Sequence, residues 1–241
     1  MMGDIFKNSI SYISNIIKFF IRSIMKTKNI IKTLIIVVFV FVWFYGQAQS
    51  SIKIGNQTWK TENLNVNTFI NGDVIKEAKT NRKWKRLGRK GKPAWCYYEN
   101  KTTNGTIYGK LYNWYAVNDP RGLAPCGWHI PTDQEWIVLT EYLGGEDIAG
   151  EKMKTVNGWK EHINTFSNGN NISHFGGLPG GYRFQNGTFF YVGSFGYWWT
   201  STQDSSDSEN AIYRDQSYNK SNVGRDTNDK KNGLSVRCIK D

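Results

Sequence analysis

Residues 132–143 carry the strongest periodic pattern in the chain. Thr132 stands three residues before Glu135, the spacing of a capping box in which the hydroxyl and the carboxylate each satisfy an otherwise orphaned helical N–H. Asp133 and Glu135 also suit the positive end of the helix. Trp136, Leu139 and Leu143 then recur at three- and four-residue intervals, one apolar stripe, before Gly144-Gly145 supplies residues that tolerate the positive φ of a helix stop. The pattern predicts a helix of about three turns docked by Trp136.

Elsewhere the period shortens to two. Ile52-Lys53-Ile54 and Gln57-Thr58-Trp59 flank Gly55-Asn56, and Tyr182-Arg183-Phe184-Gln185 and Thr188-Phe189-Phe190-Tyr191 flank Asn186-Gly187. Both read as β-hairpins, the second with a two-residue type I′ turn. Further strands are predicted at 95–98, 198–201, 211–213 and 234–239, and an aromatic-rich turn or short helix at 108–117. A helical stretch is predicted at 146–155, with loops at 166–177 and 203–210. Helices early and strands late give an α+β class, with a mixed, mostly antiparallel sheet of short strands and long loops.

The beginning of the chain changes which residues count. From Met25, a basic stretch (Lys26, Lys28, Lys32), an apolar run at 34–45 and Gly46-Gln47-Ala48 follow the layout of a secretory signal cleaved after Ala48. The run is short for a membrane span, which takes about 18–20 residues. On this reading residues 1–24 are an upstream extension, 25–48 the signal and 49–241 one domain. A membrane is involved only if the signal segment stays uncleaved. Of 31 Lys+Arg and 20 Asp+Glu, six and one lie in residues 1–48, leaving a mildly basic +6 beyond them.

Much of that charge is concentrated. Residues 76–92 hold nine cations against one acid, Glu77, with Trp84 among them. Lys83, Lys85 and Arg86 are candidates for contact with a polyanion, each contact weakening as salt rises. The competing reading is a solvated insertion, and export argues against a nucleic-acid partner. His129, His162 and His174 lack the spacing of a zinc site, no Gly-x-Ser-x-Gly elbow is present, and nothing singles out a pair of carboxylates for glycoside hydrolysis. His129 falls in the cap region, where packing or hydrogen bonding is expected of it. Asp204, Asp207, Glu209 and Asp215 could hold calcium, but their spacing is not that of a calcium loop, so no cofactor is assigned. Three cysteines in an exported domain allow one bridge and one spare thiol.

Fifteen per cent of the chain is aromatic, with ten tryptophans. Trp59, Trp95, Trp114, Trp128, Trp136 and Trp198 are read as core. Tyr182, Arg183, Phe189, Tyr191 and Trp199, on hairpin faces or in loops, are the candidates for exposed ligand contact.

Five stretches occur in an order that carries a resemblance: Tyr108-Gly109-Lys110-Leu111-Tyr112-Asn113-Trp114-Tyr115-Ala116-Val117, Gly127-Trp128-His129-Ile130-Pro131-Thr132-Asp133-Gln134-Glu135-Trp136, Leu178-Pro179-Gly180-Gly181-Tyr182-Arg183, Trp198-Trp199-Thr200-Ser201-Thr202 and Ser235-Val236-Arg237-Cys238. From about Ile54 to Asp241 the chain resembles the Fibrobacter succinogenes major paralogous domain. That resemblance implies a secreted or surface domain of Bacteroidetes and Fibrobacteres with a fold similar to C-type lectins and formylglycine-generating enzymes, and it implies no defined activity. It also implies a Cys126–Cys238 bridge stapling the ends of the domain, with Cys96 buried and free, and a charged helix and loop before Pro93. The functional expectation is an exported, non-catalytic module that binds glycan or another surface component. The alternative is an enzyme on the formylglycine-generating fold, which a convergent set of His, Cys or carboxylate groups in one pocket would favour.

Overall fold

The computed structural model describes residues 51–161 and 168–241. The segment read as an export signal, the extension before it and His162 lie outside the described residues. Among the described residues no helix is long and apolar enough to cross a membrane.

The helix at the centre of the sequence pattern is α4, Asp133–Tyr142, and both halves of its capping box are made. The Glu135 N–H donates to Thr132 Oγ1 at 3.2 Å and the Thr132 N–H to Glu135 Oε2 at 2.7 Å. Gly144 and Gly145 follow at φ +101° and +103°, stopping the helix as the sequence requires. Trp136 and Leu139 are fully buried. Trp136 meets Trp59, Phe175 and Trp198 with ring centroids 5.2, 5.6 and 6.2 Å apart. Edge-on and tilted aromatic pairs of this kind contribute about 0.5–1.5 kcal/mol each beyond their buried area.

Two sheets flank this core. The smaller pairs β1 (Ser51–Ile54), β2 (Gln57–Lys60), β13 (Ile239–Lys240) and β6 (Trp128–His129) in that order, so the first hairpin meets the last strand. The larger runs β11 (Gly224–Asp229), β10 (Asn210–Ser217), β9 (Phe195–Gln203), β7 (Gly180–Arg183), β12 (Gly233–Leu234), β5 (Leu111–Asn113), β4 (Ala94–Cys96), β3 (Lys76–Glu77), with β8 (Phe189–Val192) paired to β7. Its pairings are antiparallel except β3 with β4 and β7 with β9. The remaining helices are α1 (Asn81–Arg89), α2 (Thr102–Tyr108), α3 (Trp114–Val117) and α5 (Glu146–Met153). The class is α+β with few helices and mixed, mainly antiparallel sheets.

Two buried arginines join these layers. Arg214 on β10 donates to Asp133 Oδ1 and to Glu146 Oε1, tying the sheet to the starts of α4 and α5, and Arg225 on β11 adds a bond to Asp133 Oδ2. Arg237 is fully enclosed and donates only to neutral acceptors, Asn63 Oδ1 and the carbonyls of Lys60, Phe175 and Gly176, with its guanidinium 4.4 Å from the Phe175 ring. Burial pulls its pKa down to about 9.

Several expectations are corrected. The second hairpin closes through three residues: Arg183 pairs with Phe189, the Phe184 N–H bonds Thr188 O, and only Gly187 has positive φ. Asn186 uses its side chain to accept from the Thr188 N–H instead of adopting the left-handed conformation a type I′ turn demands. Trp128 is half-buried, with the Lys60 ammonium 4.3 Å from its ring. Residues 224–229, with no apolar alternation, form β11 because β10 offers a full antiparallel edge.

The Cys126–Cys238 bridge is also corrected. All three cysteines are free, with Cys96 and Cys238 buried and Cys126 exposed. Cys126 lies exposed in the turn that precedes β6, while Cys238 is enclosed just before β13. Burial pushes the Cys238 thiol up to about 12 and the Cys96 thiol up to about 11.

Candidate functional site: an aromatic surface

Strand β9 carries aromatic side chains on both of its faces. Phe195, Tyr197 and Trp199 project to one face, while Gly196, Trp198 and Thr200 project to the other, where Trp198 and its cross-strand neighbour Arg214 lie under α4 and α5. On the first face Asp215 lies opposite Tyr197, Tyr213 opposite Trp199, and Asp226 opposite Tyr213. The β7–β8 hairpin extends this face with Tyr182 opposite Phe190.

The rings make a continuous path. Phe184 meets Phe190 at 6.5 Å, Phe190 meets Tyr182 at 5.7 Å in a stacked pair, Tyr182 meets Tyr197 at 5.3 Å, and Tyr197 meets Tyr213 at 5.8 Å. Tyr191 and Phe195 form a side branch, 5.4 Å apart, with Phe195 stacked on Tyr197 at 5.5 Å. Phe190 and Tyr191 are exposed, Tyr191 by 52%, and the others are half-buried. A contiguous run of exposed and half-buried rings rimmed by polar groups is the make-up of an interaction surface, since isolated domains keep such patches small.

Tyr191 itself is held at φ +66°. A left-handed conformation at a residue with a Cβ stores roughly 1–2 kcal/mol, and strain of this kind persists where the surroundings over-determine it. Here Gly181, at φ +62°, lies so close to β8 that a Cβ would stand 2.4 Å from Phe190 O. The two strands therefore kink together and turn the Tyr191 ring outward.

The far end of the path is acidic. Burial raises the Asp215 carboxyl to about 6, with the Lys220 charge opposing and the Asp226 charge adding to the rise. Its seat exists because residue 224 is glycine, since a Cβ there would stand 2.0 Å from Asp215 Oδ1. Desolvation, reinforced by Asp215, raises the Tyr197 and Tyr213 phenols well above their usual range, so both stay O–H donors. Rings, phenolic donors and carboxylate acceptors thus share one open surface.

A family model, the Fibrobacter succinogenes major domain, matches residues 52–240 and so takes in every strand and ring just described. The chain belongs to this family. Neither a curated protein nor a solved structure matches it.

Within this Fibrobacter succinogenes major domain the residues singled out by sequence divide. Tyr182 and Tyr191 lie in the aromatic surface. Phe189 points the other way, against Tyr98 at 5.1 Å and the Arg183 guanidinium at 4.7 Å. Arg183 and Trp199 are fully buried and present nothing to a ligand, which corrects their assignment to exposed contact. The Trp199 indole N–H donates to Tyr112 O at 2.9 Å. Arg183 donates to Gly187 O, Ala78 O and Asn81 Oδ1, and lies between Trp84 and Phe189. Phe195 and Tyr197, two apart, could be read as sharing one strand face, whereas Phe190 and Tyr213 join them only through the pairing of separate strands.

Lys85 and Arg86 are exposed on α1 and Lys83 is half-buried. Asp204, Asp207 and Glu209 bond to Ser206, Asn210 and Lys231 in an exposed loop, away from Asp215, and no group of three metal-binding side chains converges among the described residues. An apolar cavity of about 320 Å³ between Ile70, Val117, Leu123 and Trp128 reaches His129. Both ring nitrogens of His129 are taken, Nε2 by Glu135 and Nδ1 by Asp241, each at 2.8 Å. Burial lowers the His129 pKa, and the two carboxylates more than reverse this, for a net rise. A histidine engaged on both sides is a brace between the helix cap and the last residue, with no free nitrogen for a general base.

Proposed function

We propose that this Fibrobacter succinogenes major domain is an exported, non-catalytic binding module that recognises glycan. The observation that supports this reading is the open path of rings from Phe190 to Tyr213, ending at Asp215 and Asp226. A sugar ring has an apolar C–H face and an equatorial rim of hydroxyls. The C–H face suits the negative face of an aromatic quadrupole, and the hydroxyls suit phenolic donors and carboxylate acceptors at the edge. The lectin-like fold implied by the family belongs to the same proposal, and the pairing of the first hairpin with the last strand supports it. Cleavage after Ala48 would deliver residues 49–241 as the working domain.

The test is a glycan array on residues 49–241, followed by calorimetric titration of the best ligand. Tyr191→Ala and Tyr197→Ala each remove a stacking face and should weaken binding about tenfold or more, equivalent to about 1.4 kcal/mol, with circular dichroism unchanged. An array on which nothing binds, or full affinity in both variants, refutes the reading.

A further inference from the structure

A cavity of about 250 Å³ opens beside the near end of the aromatic path, between α1 and the β7–β8 turn, lined by Lys85, Arg89, Phe184, Gln185, Asn186 and Lys231. Phe184 belongs to both features, forming a wall of this cavity and standing 6.5 Å from Phe190. We propose that the cavity is a subsite for one anionic substituent, a sulfate or a carboxylate, carried by the glycan that lies on the aromatic surface. This rests on the glycan reading above and narrows it to acidic glycans bound in a fixed direction.

The charge of the cavity comes from α1. Lys85 and Arg89 are exposed, four residues apart on one helical face, and neither makes an ion pair among the described residues. Lys231 is already matched by Glu209 at 2.9 Å and Asp229 at 3.3 Å, so it contributes a wall and little net charge. No carboxylate lines the space. Asn186 spends its oxygen on the Thr188 N–H and keeps its amide donors free.

The helix itself favours Arg86 and Arg89 only through their place in its last turn, and it has no such use for Lys85. Asn81–Arg89 holds five basic residues and no acid, and Thr80 caps it while Trp84 and Leu87 dock it. Like charges four apart, Lys85 with Arg89 and Arg82 with Arg86, oppose the helix, and an anion seated between the first pair relieves that repulsion. The walls are also fixed before any ligand arrives. Arg183 bonds the turn at Gly187 O and the helix start at Asn81 Oδ1, and Gly187 approaches Asn81 so closely that a Cβ would stand 2.6 Å from it. A preformed site loses little on ordering. The opposite end of the path carries Asp215 and Asp226, which repel an anion placed there.

The experiment compares three hexasaccharides of one backbone, neutral, uronate-bearing and sulfated, titrated into residues 49–241. Two variants of equal charge are compared, Lys85→Gln/Arg89→Gln and Arg82→Gln/Arg86→Gln. In the unaltered protein at least one charged sugar should bind about tenfold more tightly than the neutral one, and which one does so tells sulfate from carboxylate. The first variant should erase that advantage and keep neutral-sugar binding, whereas the second should retain it. Equal losses in both variants, or no advantage to begin with, overturn the subsite, because charges on any solvated face attract polyanions alike. If no hexasaccharide binds, it is the glycan reading that fails. The cavity is then judged by sodium sulfate against sodium chloride at equal ionic strength: a rise in melting temperature specific to sulfate that persists in Lys85→Gln/Arg89→Gln overturns it, and one lost only there supports it.

Discussion

Replacing Arg183 by methionine tests the claim that this residue is a clamp and not a ligand contact. The change empties a buried position whose guanidinium serves Gly187 O at 3.0 Å, Ala78 O at 2.6 Å and Asn81 Oδ1 at 3.1 Å. Asn81 is exposed and can turn to water, but Gly187 and Ala78 are buried, and an unmet buried acceptor costs about 1–3 kcal/mol. The stacking between Trp84 and Phe189, with the guanidinium 4.8 and 4.7 Å from the rings, adds about 0.5–2 kcal/mol. Methionine recovers part of this by filling the channel and removing a charge from the interior. The net expectation is a loss of about 3 kcal/mol, or roughly 6–12 °C in Tm for a domain of this size. Equilibrium urea unfolding at an unchanged m-value measures it. Arg183→Lys should fall between the two, since a point charge reaches one or two of the acceptors and cannot stack. A loss under about 1 kcal/mol, or full stability with glycan binding abolished, would refute the clamp and restore Arg183 as a ligand contact.

Asp215 makes stability depend on pH in an unusual sense. Its folded pKa of about 6 lies above the ordinary 3.8, so the folded state holds the proton more tightly than the unfolded chain. Its contribution is therefore fully present below about pH 4 and is lost as pH rises through 6, on the order of 2 kcal/mol, and Asp215→Asn should flatten the unfolding free energy across that window. In the native protein iodoacetamide should label Cys126 quickly, while Cys96 and Cys238 react only after unfolding; peptide mapping that found a Cys126–Cys238 bridge would contradict three free thiols. N-terminal sequencing of exported protein should begin near Gln49, and a membrane-bound chain still carrying residues 34–45 would contradict the signal.

The sequence by itself determined the local events. The Thr132–Glu135 capping box, the Trp136-Leu139-Leu143 stripe, the Gly144-Gly145 stop and the Gly55-Asn56 hairpin all depend on residues within a few positions of one another, so their chemistry was readable without a fold. What needed the tertiary structure was every question of which side of a strand faces water. Trp198 and Trp199 are adjacent and alike, yet both are buried by different layers, one under α4 and the other against β5. Arg183 looked like a surface contact in its Gly-Gly-Tyr-Arg stretch, and only the docking of α1 on the hairpin encloses it. The cysteine pairing was not legible either, because contacts between distant segments decide that Cys126 stays exposed in its turn while Cys238 is enclosed. Polar β11 is a strand through its neighbour alone, and the aromatic surface exists because β7, β8, β9 and β10, scattered over residues 180–217, present their rings to one side. Burial and register are properties of the packed sheet, set by non-local contacts that outweigh the weak intrinsic preferences of short segments.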